Sequence, residues 1–220
     1  MDSEHKVARP HNCSDPQAWE LYYASRIRDG FRHRNPSRSN SAPVSLEELG
    51  EIFESIFSML LPVSELAAEL RARGWTSIWV PGCGLSPLPK LLAHLGLAVT
   101  ATDISEAAVR FQQSAQNDVS VFSDLWEASL GDGSFSCERH DLRTDFRGEA
   151  FDAIINVRAF QGFPQTEIGL VARSHFRSLK AGRYAYLYTM NTWNVMKTLE
   201  QVLADAGFVV ISPFSHGGGP

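Results

Sequence analysis

Two glycines, Gly82 and Gly84, follow an apolar run that closes on Val80 and Pro81, with Cys83 between them. Glycine at such a turn permits positive φ and lets a ligand come close to the backbone. The amino end of a following helix attracts electron-rich groups, and Ser86 and Pro87 fit the N-cap and first position of that helix. Nineteen residues beyond Gly84, a second apolar run leads to Asp103, whose carboxylate can accept both hydroxyls of a ribose. Ser105 serves equally well as the cap of the next helix, which leaves Asp103 free for a ligand. The plainer reading is a tight turn and a second cap. Related chemistries fit less well. A dinucleotide fingerprint needs a third glycine where Pro87 stands, and a phosphate loop needs Lys then Ser or Thr after its second glycine. A hydrolase elbow at Ser86 needs a small residue two positions on, where Leu88 stands.

These residues need strands to end where they do. Apolar runs of strand length cover 77–80, 98–102, 151–157, 184–189 and 208–211, with a shorter one at 135–139. Helix-length segments at 87–94, 106–117, 165–179 and 194–206 alternate with them, which predicts an α/β fold: a Rossmann-like, doubly wound, mostly parallel sheet covered on both faces. Upstream, Asp15 and Pro16 open a helix through Trp19, Tyr22 and Tyr23 that ends near Gly30. Residues 26–38 hold five arginines and read as a mobile loop. Ser45 and Glu48 form a capping box ahead of an apolar helical stripe over 49–60, and a further helix over 63–73 stops at Gly74. The expected organisation is a helical extension or lid over 1–75 and a core over 76–220, compact as one domain.

The chain has 220 residues, 44% hydrophobic and 20% charged, enough to bury a core without disulfides or metal. Three cysteines at wide spacings make no disulfide framework, so a reducing cytoplasm is expected. No window approaches the roughly 18 apolar residues of a membrane span. A net charge of −5 argues against nucleic acid as a partner through the bulk field, although the arginine run is a local basic patch. Cys137 with His140, and His11 with Cys13, lack a companion pair at metal-site spacing, so no metal is expected.

Residues 80–88 followed by 98–109 resemble the first motif and the acidic second-strand end of class I S-adenosylmethionine-dependent methyltransferases. Within that superfamily, Pro81, Gly82, Cys83 and Gly84, with Asp103, Ile104, Ser105 and Glu106, are similar to the thiopurine S-methyltransferase-like small-molecule branch. The resemblance implies S-adenosylmethionine as cofactor, with residues 82–84 on its methionine part, Asp103 on the ribose and Ile104 against the adenine. Asp141 and Leu142 would serve the adenine amino group and ring. Asn156, Val157 and Arg158, after the fourth strand, fall where the family places its methyl-transfer groups, with Arg158 and Asn156 as the catalytic candidates. Trp19, Tyr22 and Tyr23 are candidates for the substrate pocket.

The chain departs from the family at Val80, where many relatives carry an acid, and at Ser86, which replaces a third glycine. Residues 156–159 are not the Asn/Asp-Pro-Pro-aromatic motif of base-amine methylation. The expected acceptor is therefore a small molecule: a thiol, phenol or other acidic nucleophile. The alternatives are a catalytically silent cofactor-binding or regulatory protein, and an RNA or protein methyltransferase using the arginine loop. Only nine residues follow position 211, too few for the usual final strand, so a homodimer or another partner is expected to cover that sheet edge.

Overall fold

The computed structural model describes residues 7–10, 14–29, 63–114, 133–189 and 193–211. The capping box at Ser45, the stripe over 49–60, His11, Cys13 and the arginines beyond Arg28 lie outside these residues. In chain order the elements are α1 (Pro16–Arg28), α2 (Val63–Ala72), β1 (Ser77–Pro81), α3 (Leu88–His94), β2 (Ala98–Asp103) and α4 (Glu106–Gln113). Then follow β3 (Ser134–Arg139), β4 (Phe151–Val157), a 3-10 turn (Phe160–Gly162), α5 (Gln165–Ser178), β5 (Leu179–Tyr188) and α6 (Trp193–Asp205).

The five strands form one sheet in the order β3-β2-β1-β4-β5, every pair parallel. Both faces are covered, which is why β1 and β4 read as continuous apolar runs. Alternation splits them: Ile78, Val80, Ala153 and Ile155 face one core with Leu66 and Leu70 of α2 and Leu88, Leu91 and Leu92 of α3. Trp79 and Ile154 face the other with Ile168 and Val171 of α5 and Leu199 and Leu203 of α6. Strand order reverses between β1 and β4, so the crevice beyond their carboxyl ends is where this architecture takes a ligand.

Local signals held at several ends. Asp15 caps α1, accepting from the Ala18 N–H at 2.9 Å. Gly74, at φ +70°, follows α2 as expected. Three expectations need correction. Arg26 and Arg28 belong to α1, which closes on Asp29 rather than opening a loop at residue 26. β5 starts at Leu179, ahead of the expected 184, with a register break between Phe151 and Ala153 of β4. Residues 208–211 form no strand; Val209 is 84% and Ile211 70% exposed. Phe208 instead packs edge-on against Phe176, at 5.3 Å between ring centroids. Among the described residues no helix is long and apolar enough to cross a membrane.

Candidate functional site

The loop after β1 is fixed from three sides. Cys83 donates its N–H to the Thr102 carbonyl at 2.9 Å, Gly84 donates its own to Asp103 at 2.8 Å, and the Gln112 amide donates to the carbonyls of Gly84 (2.9 Å) and Ser86 (2.7 Å). Gly82 and Gly84 sit at φ +62° and +51°. A Cβ on Gly82 would lie 2.8 Å from the Ala159 Cβ, and one on Gly84 only 2.5 Å from the Tyr23 hydroxyl, so neither tolerates a side chain. Ser86 does cap, accepting from Leu88 N–H at 3.2 Å, but Pro87 serves as the N-cap residue and α3 starts one residue later than expected. The Cys83 thiol donates to the Gly84 carbonyl at 3.7 Å, and the neighbouring Cys137 thiol together with burial pushes its pKa up: it is a neutral packing group.

Asp103 is not left free. Its two oxygens accept from Gly84 N–H and, at 3.0 Å, from Ser105 N–H, while Ser105 caps α4 by accepting from Ala108 N–H. Burial raises the Asp103 carboxyl to about 6, against the lowering effect of those amides. A carboxylate oxygen accepts two hydrogen bonds, so each retains capacity for one more. Glu20 of α1 reaches the same corner, accepting from the Ser105 hydroxyl at 2.7 Å and from Ala107 N–H at 3.0 Å. A carboxylate at the amino end of α4 suits the helix dipole and docks α1 there. The Ser14 hydroxyl adds a hydrogen bond to Glu167 at the far end.

Beyond β3, Asp141 is gripped by the Arg143 guanidinium at 2.6 and 2.9 Å, which holds its carboxyl below the usual range. Arg143 reaches on to Glu167 at 3.3 Å. Leu142 is buried in the α5 core and lies near Gly82.

At the end of β4 the side chain of Asn156 turns inward. Its amide meets His175 Nε2 at 2.9 Å, and its oxygen accepts from Ala159 N–H at 3.1 Å. His175 is fully buried, with its pKa pushed down to about 3, and its Nδ1 lies 2.8 Å from the Val171 carbonyl. A carbonyl only accepts, so the proton sits on Nδ1, and Nε2 accepts from Asn156. This relay fixes the turn carrying Arg158, which stands at φ +63°, a strained conformation for a non-glycine residue, and donates its N–H to the Tyr188 carbonyl at 2.7 Å.

A cavity of about 270 Å³ opens over the switch point. It brings together Pro81, Gly82, Cys83, Gly84, Val157 and Arg158 with Trp19, Tyr22 and Tyr23 of α1. Asp103, Ile104, Asp141, Leu142 and Asn156 do not line it. Among the lining residues outside the expected site residues, two carry a charge: Arg9 and Arg26. Arg26 continues the stripe Trp19, Tyr22, Tyr23 at helical spacing and was within reach of the sequence; Arg9 carries no pattern at all. Among the described residues no group of three or more His, Cys, Asp or Glu is placed to hold a metal ion.

Residues 80–187 match the family model described as a methyltransferase domain. The chain is similar in structure to magnesium protoporphyrin IX methyltransferase from Synechocystis PCC 6803 with bound SAM, at 18% identity and TM-score 0.56, covering 96% of this chain and 91% of that one. The same enzyme with bound SAH gives 17% identity and TM-score 0.54, covering 88% and 90%. At such identities the likeness is one of fold. None of the curated proteins matches the chain.

Proposed function

Since the chain belongs to the class I S-adenosylmethionine-dependent methyltransferase superfamily, we propose that it moves the methyl group of S-adenosylmethionine onto a small acidic acceptor, a thiol or a phenol. The observation that carries this reading is the cavity at the switch point, where the Gly82–Gly84 backbone, the α1 aromatics and Arg158 surround one space. The cofactor fits the residues present. Asp103 retains accepting capacity and no ion pair among the described residues reaches it, as suits two ribose hydroxyls. Ile104 would lie against the adenine, and Asp141 with Leu142 would close its far side. Bound there, the cofactor would supply a sulfonium methyl as electrophile, its sulfur keeping the bonding pair, to an acceptor whose proton has gone to solvent.

The chain's own task is to position and to exclude water, which suffices for an acidic nucleophile. Arg158 holds the acceptor. Asn156 is a positioning residue acting through the Ala159 amide, and α1 is the lid. Calorimetric titration with S-adenosylmethionine and with its demethylated product, followed by a screen of thiols and phenols for methylated product, tests the reading. Saturable binding of both and turnover of an acidic acceptor are expected; binding without turnover of any acceptor would leave a cofactor-binding protein, and no binding would end the proposal.

A further inference from the structure

Trp19, Tyr22 and Tyr23 of α1 wall the cavity, and Tyr23 lies over Gly84, yet the helix is not rooted in the sheet. Of its residues only Trp19 and Ser25 are buried, Leu21 is exposed, and neither core among the described residues includes one of its side chains. An element with so little buried apolar surface opens readily unless polar contacts hold it. Two ties do so. From within α1, Glu20 accepts from the Ser105 hydroxyl at 2.7 Å and from Ala107 N–H at 3.0 Å, charge-assisted bonds at the amino end of α4. Just ahead of α1, the Ser14 hydroxyl donates to Glu167 of α5.

Each tie leads on to a carboxylate expected to meet the cofactor. Ser105, fully buried, gives its N–H to Asp103 at 3.0 Å while its hydroxyl serves Glu20. Glu167 also accepts from Arg143 at 3.3 Å, and Arg143 grips Asp141 at 2.6 and 2.9 Å. Ser14, Glu20, Arg143 and Glu167 all stand outside the cavity lining. Resting on the methyl-transfer reading above, we propose that the cofactor fastens α1 as a lid: engagement of Asp103 and Asp141 strengthens the Glu20–Ser105 and Ser14–Glu167 ties, so that the aromatic wall stands firm for the acceptor only once the cofactor is bound. A ligand that fixes the two aspartates narrows the positions open to Ser105 and Arg143, and less ordering is then left for the ties to impose. Glu20 and Ser14 are positioning residues, acting through α1 on ligands they do not touch. Coupling is reciprocal, so the fastened lid also holds the cofactor. The binding order follows: cofactor first, acceptor second.

Hydrogen exchange over residues 19–28, in the full chain bare and saturated with S-adenosylhomocysteine, tests this. Saturation is expected to slow exchange there at least about fivefold in the parent; in Glu20→Ala the slowing should be lost and calorimetry should show about fivefold weaker S-adenosylhomocysteine binding. The sign of the affinity change discriminates. Burial chiefly, and the Glu20 charge in addition, raise the Asp103 carboxyl, so removing that charge by itself favours ionised Asp103 and would tighten the hold on ribose hydroxyls; a weakening reports the lid. Glu106→Gln removes a carboxylate from the same end of α4, where it pairs with Arg110 at 3.8 Å, and should leave both measurements as in the parent. Ser14→Ala loosens the other tie and keeps the question measurable should Glu20→Ala fold poorly. Combined with Glu20→Ala it should add less than the sum of the single effects, because both ties close one lid. Binding of S-adenosylhomocysteine without slower exchange in α1, slowing undiminished in the folded variants, or tighter binding by Glu20→Ala would each overturn the proposal and leave the methyl-transfer reading standing. No binding of S-adenosylhomocysteine by the parent would end both.

Discussion

Two aspartates stand at opposite ends of the same sheet, and each accepts two backbone amides. Asp152, at the amino end of β4, takes the N–H groups of Thr76 and Ser77 at 3.2 and 3.1 Å; Asp103, at the carboxyl end of β2, takes those of Gly84 and Ser105. Both residues are about 5% exposed. The difference is their company and how deeply each carboxyl is set within the protein. Lys180 lies 3.0 Å and Arg183 3.4 Å from Asp152, and together with the amides they outweigh burial and keep its carboxyl below the usual range. No ion pair among the described residues meets Asp103, and burial wins there, raising it to about 6. The amino end of the sheet is thus electrostatically finished by the fold itself, while the carboxyl end keeps an accepting group whose remaining capacity a ligand can use.

The contrast breaks most visibly at Asp152. Asp152→Ala strands two buried amides and removes the partner of two cations, so a loss of about 3 kcal/mol in stability is expected, read by urea unfolding. Ligand affinity of the folded fraction should not change; if it does, the two ends are not independent. Asp103→Ala also strands two amides, those of Gly84 and Ser105, but removes no ion-pair partner, so it should cost less stability than Asp152→Ala and act more on the ligand. Losing a charge-assisted acceptor costs about 1.5 to 3 kcal/mol per bond, so S-adenosylhomocysteine binding should weaken roughly ten- to a hundredfold by calorimetry in a protein that remains folded. Unchanged affinity would remove Asp103 from the site.

The pH response sharpens the contrast further. If the ligand needs ionised Asp103, affinity should drop about tenfold, or about 1.4 kcal/mol, between pH 7 and pH 5, and Asp103→Asn should flatten that profile. Binding rather than stability is the clean readout, because three groups pull stability in different directions. With its raised pKa, Asp103 makes the folded state bind extra protons between about 4 and 6, so its contribution falls as pH rises through that range. Asp152, held low, contributes above its ordinary value near 3.8 and loses that contribution as pH falls. His175, buried and neutral, contributes most above 6.5 and loses it as pH falls toward 3. A profile in Asp103→Asn as steep as the parent's would move the titration to another group.

How much of this was legible in the sequence depends on whether the signal was local. The runs that became β1, β2 and β4, the glycine pair and the Ser105 cap are decided within a few residues, and each stands within a residue or so of its expected place. The commitment of Asp103 to Gly84, the inward turn of Asn156 and the arrival of Arg9 in the cavity depend on contacts across 19 or more residues or on packing that no periodicity encodes. Residues 208–211 mislead for a related reason. Their β-branched side chains suit a strand, but pairing needs the chain to return to the sheet, and Gly207 at φ +108° under the Phe176 ring sends it elsewhere.

Gln112 gives the smallest expected effect and the most discriminating one. In the sequence it is one polar residue at the end of a helix; in the fold it is 2% exposed, and one amide nitrogen spans the carbonyls of Gly84 and Ser86. It therefore restrains the glycine loop through its carbonyls, where Asp103 holds an N–H, without offering a charge to any ligand. Gln112→Leu keeps the bulk but leaves the two carbonyls without this donor, so the loop should lose preorganisation rather than a contact, with a cost of about 1 kcal/mol, roughly fivefold in S-adenosylhomocysteine affinity. Hydrogen exchange at 82–86 should rise in the unliganded variant and return toward the parent's level on binding. An affinity loss as large as that of Asp103→Ala would mean that the loop's shape, and not the carboxylate, carries recognition at this end of the sheet. No loss at all would mean that Asp103 and the Thr102 carbonyl hold the loop by themselves.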